Sequence, residues 1–153
     1  MAERLNASDL CTRDVVFAER RMPVDDAARL MRQQHVGSLV VVDETAAGRV
    51  PVGMLTDRDI VTSIIAKDLD PGSICAEDAM SAELVTAAET DSMLDVLEAM
   101  RRKGVRRAPV VDRRGALVGL LALDDMLEVI ASELQRVVQA IEGGRRREAN
   151  QRS

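Results

Sequence analysis

The sequence predicts two copies of a β-α-β-β-α unit that pack face to face with pseudo-twofold symmetry. Three observations support this prediction. The chain repeats itself, both copies carry the same order of apolar patterns, and a single copy is too short to form a stable core alone. Of the 153 residues, 46% are hydrophobic and 31% are charged, which is the balance of a globular protein. A unit of about 60 residues is only marginally stable alone, so the two units should share a core.

The internal repeat is visible when the chain is aligned with itself. At an offset of 69 positions Asp9 falls on Asp78, and the Val-Val-Asp run at 41–43 falls on the same run at 110–112. Further along, the offset drops to 66, and Val-Gly at 52–53 falls on Val-Gly at 118–119. The change of offset lies in a predicted turn, where insertions are tolerated, and this supports the alignment.

Each copy begins with a short apolar run that predicts a strand, at 15–18 and at 84–87. A helix should follow, because apolar residues recur near helical spacing over 24–31 and over 93–100. Ser92 and Asp95 resemble a capping box at the start of the helix in the second copy.

Two further apolar runs in each copy predict a pair of strands, at 39–42 and 50–55 and at 109–111 and 117–121. A second helix closes each copy, from Asp57 to about Ala66 and from Leu123 to about Glu142. We place repeat 1 at 8–67, a linker with a Pro-Gly turn at 68–77, repeat 2 at 78–135, and a helix end with a basic tail at 136–153.

Composition argues against several classes of protein. A net charge of −5 and a single aromatic residue disfavour nucleic-acid binding. One histidine and two cysteines give no metal-ligand cluster and no nucleophile with a paired base, so we expect neither a metal nor an enzyme. The cysteines, Cys11 and Cys75, should be reduced and partly buried. No apolar run could span a membrane and no signal-peptide pattern is visible, so we expect a cytoplasmic protein.

The tandem pattern resembles the pair of cystathionine-β-synthase (CBS) domains called a Bateman module. The resemblance is carried by the runs 36–43 and 53–59, by 105–112 and 119–125, and by the opening segment 78–80. It covers about residues 8–135. The resemblance implies an α+β fold, a cleft between the repeats with up to two related sites, and binding of an adenine nucleotide without catalysis. AMP is the first choice of ligand, and ADP, ATP, NAD and S-adenosylmethionine are the alternatives.

Thr56 and Asp59 form the first candidate site. Thr56 stands between a strand and a helix, where its hydroxyl and the free N–H groups of the next turn can hold a phosphate. The carboxylate of Asp59 can accept hydrogen bonds from both ribose hydroxyls. Gly53, in the strand before them, allows a close backbone approach. From their spacing alone Thr56 and Asp59 also fit a helix cap, whereas the resemblance favours a ligand site, and both roles can coexist.

The second candidate site departs from the first. Ala122 stands at the position equivalent to Thr56, so the hydroxyl is missing. Asp125 keeps the position of the ribose ligand, and Asp124 adds a negative charge beside it. If only one site is occupied, we therefore expect the site with Thr56 and Asp59.

Further residues should complete the sites. Purine contacts are expected from the first strand of each copy. These residues are Val16, Phe17 and Ala18 in the first copy and Val85, Thr86 and Ala87 in the second. Backbone near four other residues should close the pocket, namely Ser38, Leu39, Ala108 and Pro109. The candidate cations for a phosphate are Arg106, Arg107, Arg58 and His35. Each group also has an ordinary role, as core, as a strand end or, for His35, as a helix C-terminus.

The last predicted helix carries an apolar stripe that outlasts the matching helix of repeat 1: Leu127, Ile130, Leu134, Val137, Val138 and Ile141. We expect the stripe to form a homodimer contact, with packing on its own body as the alternative. The arginines at 145–147 follow two glycines and should form a solvated tail.

Two functions remain open at this point. One is a regulatory module that binds an adenine nucleotide between its repeats and acts on an unidentified effector protein. The other is a dimeric interaction or assembly module with no functional ligand site, which the missing hydroxyl at Ala122 would fit.

Overall fold

The computed structural model describes residues 5–152 and has an α+β architecture of two three-stranded sheets with helices. Repeat 1 contains α1 (Ala7–Leu10), β1 (Phe17–Glu19), α2 (Val24–Gln34), β2 (Ser38–Thr45), β3 (Gly48–Thr56) and α3 (Asp57–Ile60). A π-helical turn (Val61–Ile65) and a 3₁₀ turn (Pro71–Ser73) follow. Repeat 2 contains α4 (Ala76–Ala79), β4 (Ala87–Ala88), α5 (Met93–Lys103), β5 (Arg107–Val111), β6 (Leu117–Ala122) and α6 (Leu123–Arg152).

The two sheets have the same topology. In each, the central strand (β2 or β5) pairs in parallel with the strand before it and antiparallel with the strand after it. A parallel pair needs a crossover connection, which α2 and α5 provide. The antiparallel register shifts between Val41 and Val42 in one sheet and between Val110 and Val111 in the other, which are equivalent positions. The predicted duplication is therefore confirmed in the fold.

Helix boundaries follow local capping. The Ser92 hydroxyl accepts a hydrogen bond from the Asp95 N–H at 3.2 Å, which is one half of the predicted capping box. His35 caps the C-terminus of α2 and Gly104 caps that of α5, both in the left-handed region, with φ of 56° and 65°. Such a residue closes many helices. His35 therefore has the helix C-terminal position that the sequence predicted.

Two hydrophobic cores form, and each one includes the opening helix of the other repeat. Leu39 and Leu55 of repeat 1 pack in one core together with Ala76 of α4. Leu121 of repeat 2 packs in the other core together with Ala7 of α1. Both alanines are fully buried. The core that the repeats were predicted to share therefore takes the form of an exchange of opening helices.

Short backbone bridges join the repeats symmetrically. Thr12 pairs with Leu120, and Ser81 pairs with Met54. These two bridges are equivalent, because the offset of 69 relates Thr12 to Ser81 and the offset of 66 relates Met54 to Leu120. The pairing shows the pseudo-twofold relation between the repeats.

Arg20 joins repeat 1 to the opening helix of repeat 2. Its guanidinium donates to Asp43 at 2.6 and 3.0 Å and lies 3.9 Å from the carboxylate of Glu77. The hydrogen bond from Arg20 holds the pKa of Asp43 below its usual value. The side chains of Arg20 and Asp43 are 40% and 41% exposed, so this ion pair contributes little to stability.

Some boundaries differ from the sequence predictions. Strands β1 and β4 are shorter than predicted, because residues 15–16 and 84–86 precede the paired segments. The prediction that the last helix ends near Glu142 was wrong, since α6 continues to Arg152. A glycine costs about 1 kcal/mol in a helix interior, and the Glu, Arg, Ala and Gln residues around Gly143 and Gly144 are good helix formers. Over residues 5–152, no helix combines the length and apolarity needed to cross a bilayer.

Candidate functional site

A cleft between the two repeats gathers residues from both of them, and we call it the Asp125 cleft. Its cavity measures about 320 Å³, within the range of about 300–1,000 Å³ that is typical of small-molecule sites. The lining residues are Thr12, Asp14, Val15, Val16, His35, Val36, Gly37, Ser38, Arg107, Leu120, Ala122 and Asp125. Five of them were predicted as site residues: Val16, His35, Ser38, Arg107 and Asp125.

The secondary structure positions the polar residues of this cleft. Arg107 is the first residue of β5 and pairs in register with Ala122, the last residue of β6. Asp125 follows in the first turn of α6. From repeat 1, Gly37 and Ser38 lead into β2 on the opposite side. Their small side chains leave room for the cavity, whereas the equivalent positions in repeat 2 carry two arginines.

Asp125 is less exposed than the other charged residues that line the cleft. It is half-buried, and within the described part of the chain its carboxylate has no hydrogen bond and no ion pair. A carboxylate that is partly removed from water favours hydrogen-bond donors, so Asp125 is poised to accept them from a ligand. Arg107 and His35 are exposed at the same cleft and can supply positive charge, while Asp14 adds a further carboxylate.

The equivalent groups of repeat 1 form a complete capping box. The Thr56 N–H donates to Asp59 Oδ2 at 2.9 Å, and the Asp59 N–H donates to Thr56 Oγ1 at 3.1 Å. The helix-cap role that the sequence allowed for this pair is therefore present. Ala122 has no hydroxyl and cannot form the same box at the start of α6. The missing hydroxyl accounts only for the half of the box that would accept from the Asp125 N–H. Over residues 5–152 the Asp59 carboxylate has a backbone partner and the Asp125 carboxylate does not.

Thr56→Ala is expected to lower the free energy of unfolding by about 1 kcal/mol, because the N–H of Asp59 loses its capping acceptor. Urea denaturation measures the effect. Thr62→Ala is the matched control, since the Thr62 hydroxyl is exposed and donates to the Arg58 carbonyl within the same helical segment. A change within about 0.5 kcal/mol is expected there. Equal effects of the two substitutions would contradict a stabilising box.

Several predicted site residues have their side chains in the cores. Ala18 and Leu39 belong to the core of repeat 1. Val85, Ala87 and Ala108 belong to the core of repeat 2, and Pro109 is fully buried. A ligand could reach these residues only through their backbone, which is the contact that the sequence predicted for Leu39, Ala108 and Pro109.

Three other predicted residues lie outside the lining of the Asp125 cleft. The guanidinium of Arg49 lies 4.2 Å from the centre of the Phe17 ring, a cation–π contact. Arg106 donates to Asp124 at 3.2 Å on the surface. Thr86 is exposed beside the start of β4.

The backbone of Gly53 is closely approached by another part of the chain, at Met80 and Ser81, and not by the open cavity. A Cβ at Gly53 would collide with Met80 and would lie 2.9 Å from the carbonyl oxygen of Ser81. The equivalent Gly119 is packed in the same way against Cys11 of the other opening segment. These glycines therefore admit the exchanged opening segments.

The sequence reasoning missed Thr12, Asp14 and Val15. The loop that holds Thr12 and Asp14 has no apolar periodicity and reads only as a connection. A signal was nevertheless available in the internal repeat. In a pseudo-twofold pair, the end of the last strand of one repeat faces the opening loop of the other repeat. A site at Asp125, which follows β6, should therefore include residues from the opening loop of repeat 1.

No metal centre is visible in residues 5–152, where no group of three or more His, Cys, Asp or Glu side chains could hold an ion. Cys11 and Cys75 are free thiols and half-buried.

Comparison with protein families matches the CBS domain at residues 7–66 and again at 76–132. The CBS domain-containing protein YhcV of Bacillus subtilis is 36% identical over 121 residues, which cover 79% of this chain and 82% of that protein. An uncharacterized protein of Methanopyrus kandleri is 30% identical over 125 residues, or 82% of this chain. The chain spans 62% of the length of the M. kandleri protein.

Three solved structures illustrate the structural likeness. A CBS domain protein of Pyrobaculum aerophilum in complex with AMP is 27% identical, with a TM-score of 0.70, over 79% of this chain and 89% of that one. Hypoxic Response Protein I with two coordinated zinc ions is 28% identical, with a TM-score of 0.71, over 81% and 98%. A hexameric CBS-CP12 protein from bloom-forming cyanobacteria is 27% identical, with a TM-score of 0.70, over 80% and 66%.

Proposed function

Since the chain belongs to the CBS-domain family, we propose that it is a regulatory module that binds an adenine nucleotide, AMP first, in the cleft between its repeats. One observation carries the proposal: the carboxylate of Asp125, which has no partner among residues 5–152, lines a cavity of about 320 Å³ that both repeats contribute to. The similar P. aerophilum protein, which carries AMP, supports the choice of ligand.

In the proposed binding mode, repeat 2 holds the ribose and the phosphate, and repeat 1 holds the purine. Asp125 accepts hydrogen bonds from the ribose hydroxyls, a contact in which an ionised acceptor is stronger than a neutral one. Arg107, at the start of the neighbouring strand, faces the phosphate. Val16 and Val36 of repeat 1 provide aliphatic contacts for the purine, since the described residues that line the cavity include no aromatic ring.

Thr56 and Asp59 form the second proposed position. Their capping box uses Oδ2 of Asp59, which leaves Oδ1 of the same carboxylate for a ribose. The order of preference is the reverse of the sequence expectation, because Asp125 lines a cavity and, in the part of the chain that the structure describes, its carboxylate has no competing donor.

The proposed output passes to a separate effector protein through α6. Asp125 lies in the first turn of this helix, so a ligand on its carboxylate acts directly on the start of α6. The helix then continues to Arg152, with every residue from Leu134 onwards exposed. It is thus the element best placed to report occupancy of the cleft.

Thermal melting of the full chain with AMP tests the proposal. AMP at 100 times its Kd should stabilise the protein by about 2.7 kcal/mol, which corresponds to about 5–10 °C for a chain of this size. We expect 2′-deoxy-AMP at the same concentration to give a smaller shift, because it lacks one of the hydroxyls assigned to Asp125. ADP, ATP, NAD and S-adenosylmethionine measured beside them rank the ligand classes.

An assembly module without a functional ligand is the second candidate function. It is favoured by the capping box of Thr56 and Asp59, which is complete without a nucleotide, and by the exposed apolar residues of α6. If none of the adenine compounds shifts the melting temperature, this second function is favoured over the first.

A further inference from the structure

Helix α6 presents an apolar seam that the body of the protein does not cover. Leu127, Leu134, Val138 and Ile141 are 64%, 62%, 46% and 52% exposed. Together with Ala131 they recur at alternating spacings of four and three residues, which keeps them on one side of the helix. This is the pattern of a seam between two paired helices. We call these five residues the α6 seam.

The charges of α6 are divided between its two ends. Residues 123–135 contain Asp124, Asp125, Glu128 and Glu133 and no basic residue. Residues 145–152 contain four arginines and one glutamate. A parallel pair of these helices would place like charges side by side, whereas an antiparallel pair would place each acidic start beside a basic end. The helix is therefore complementary to a reversed copy of itself.

We propose that the occupant of the α6 seam is α6 of a second copy of this chain, in antiparallel orientation and centred near Leu134. With that centre Leu127 faces Ile141 of the partner subunit, because both residues lie seven positions from Leu134. The arrangement brings Arg145 of the partner subunit to the acidic start of α6, next to Asp124. Both copies use the same patch, which closes the dimer with twofold symmetry. This pairing does not depend on nucleotide binding.

Light scattering of the full chain tests whether a second copy of the chain occupies the α6 seam. The unmodified protein should have the mass of a dimer, and Leu134→Asp with Val138→Asp should shift it to monomer, with at least a tenfold weaker association. Gln135→Asp with Gln139→Asp is the matched control, which adds the same charge to α6 off the seam and should keep the dimer. A monomeric unmodified chain would overturn the proposal, and vesicles of anionic lipid would then test whether a membrane surface occupies the seam.

Disulfide cross-linking tests the orientation in a Cys11→Ser, Cys75→Ser background. A mixture of Leu127→Cys and Ile141→Cys proteins should form a heterodimeric disulfide on oxidation. Neither protein alone should cross-link, because identical positions lie 14 residues apart along the pair, or about 21 Å. Cross-linking of each protein with itself would indicate a parallel pair and overturn the proposal.

The charge division provides an independent readout of orientation. Reversing the basic end with Arg145→Glu, Arg146→Glu and Arg147→Glu should weaken the antiparallel dimer at low salt, since acidic groups would then lie side by side. In a parallel pair the arginines repel one another before the change and the glutamates repel one another after it, so the strength of association should stay about the same. Unchanged or tighter association of the triple variant would therefore contradict the antiparallel arrangement. Circular dichroism establishes that α6 remains helical in each variant.

Discussion

Asp125→Ala is expected to weaken AMP binding by about 10- to 100-fold and to leave the fold intact. Within residues 5–152 the Asp125 carboxylate has no partner, so its removal breaks no internal hydrogen bond. The loss falls on the ligand, whose ribose hydroxyls no longer meet an ionised acceptor. A hydrogen bond to a charged group is worth about 1.5–3 kcal/mol, and about 1.4 kcal/mol corresponds to a tenfold change in affinity. Isothermal titration calorimetry measures the affinity directly.

Two neighbouring substitutions make this prediction specific. Asp124→Ala removes a carboxylate one residue away that is exposed and paired with Arg106, and it should change the affinity by less than about twofold. Asp59→Ala removes the equivalent group of repeat 1 and half of its capping box. If Asp59→Ala abolishes binding while Asp125→Ala leaves it unchanged, the nucleotide belongs at the site that the sequence favoured.

Gly53→Ala and Gly119→Ala should each lower the free energy of unfolding by about 1–3 kcal/mol, the usual cost of forcing extra atoms into a packed interior. A Cβ at Gly53 meets the backbone oxygen of Ser81 at 2.9 Å, and a Cβ at Gly119 meets that of Thr12 at 3.1 Å. Backbone cannot retreat as a flexible side chain can. For a chain of this length the melting temperature should fall by about 3–10 °C.

Gly143→Ala is the matched control, because the same atom is added where no other group lies within 4 Å. It should stabilise the protein by about 0.5–1 kcal/mol, since alanine costs less than glycine in a helix interior. Differential scanning calorimetry on the three variants gives all the values under one set of conditions. Melting temperatures at Gly53→Ala and Gly119→Ala equal to that of the unmodified chain would show that the opening segments are not packed against these strands.

The repeated fold could be predicted because it depends on local patterns that occur twice. The strands at β2, β3, β5 and β6 and the helices α2 and α5 each have clear periodicity and turn signals. The exchange of opening helices could not be predicted in the same way. Ala7 and Ala76 are small residues in short segments, and their burial in the opposite core depends on contacts far away in the sequence.

Individual residues of the candidate site could be predicted from the sequence, but their grouping into one cleft could not. Asp125 was predicted as the equivalent of Asp59, and Val16, His35, Ser38 and Arg107 were predicted as further contacts of the ligand. The structure brings all five to one cleft. Their grouping across the two repeats required the geometry of the pseudo-twofold pair. The length of α6 was underestimated because two glycines resemble a stop signal, although the residues around them favour a helix.

Mapping the bound nucleotide by amide NMR is the most direct test of the central claim that AMP binds between the repeats. On titration with AMP, the largest amide shift changes are predicted at Val16 and Ser38 of repeat 1 and at Arg107 and Asp125 of repeat 2, with one saturation curve for all four. Changes confined to the surface of one repeat or to the arginines at the end of α6 would contradict the claim, as would an unchanged spectrum at millimolar AMP.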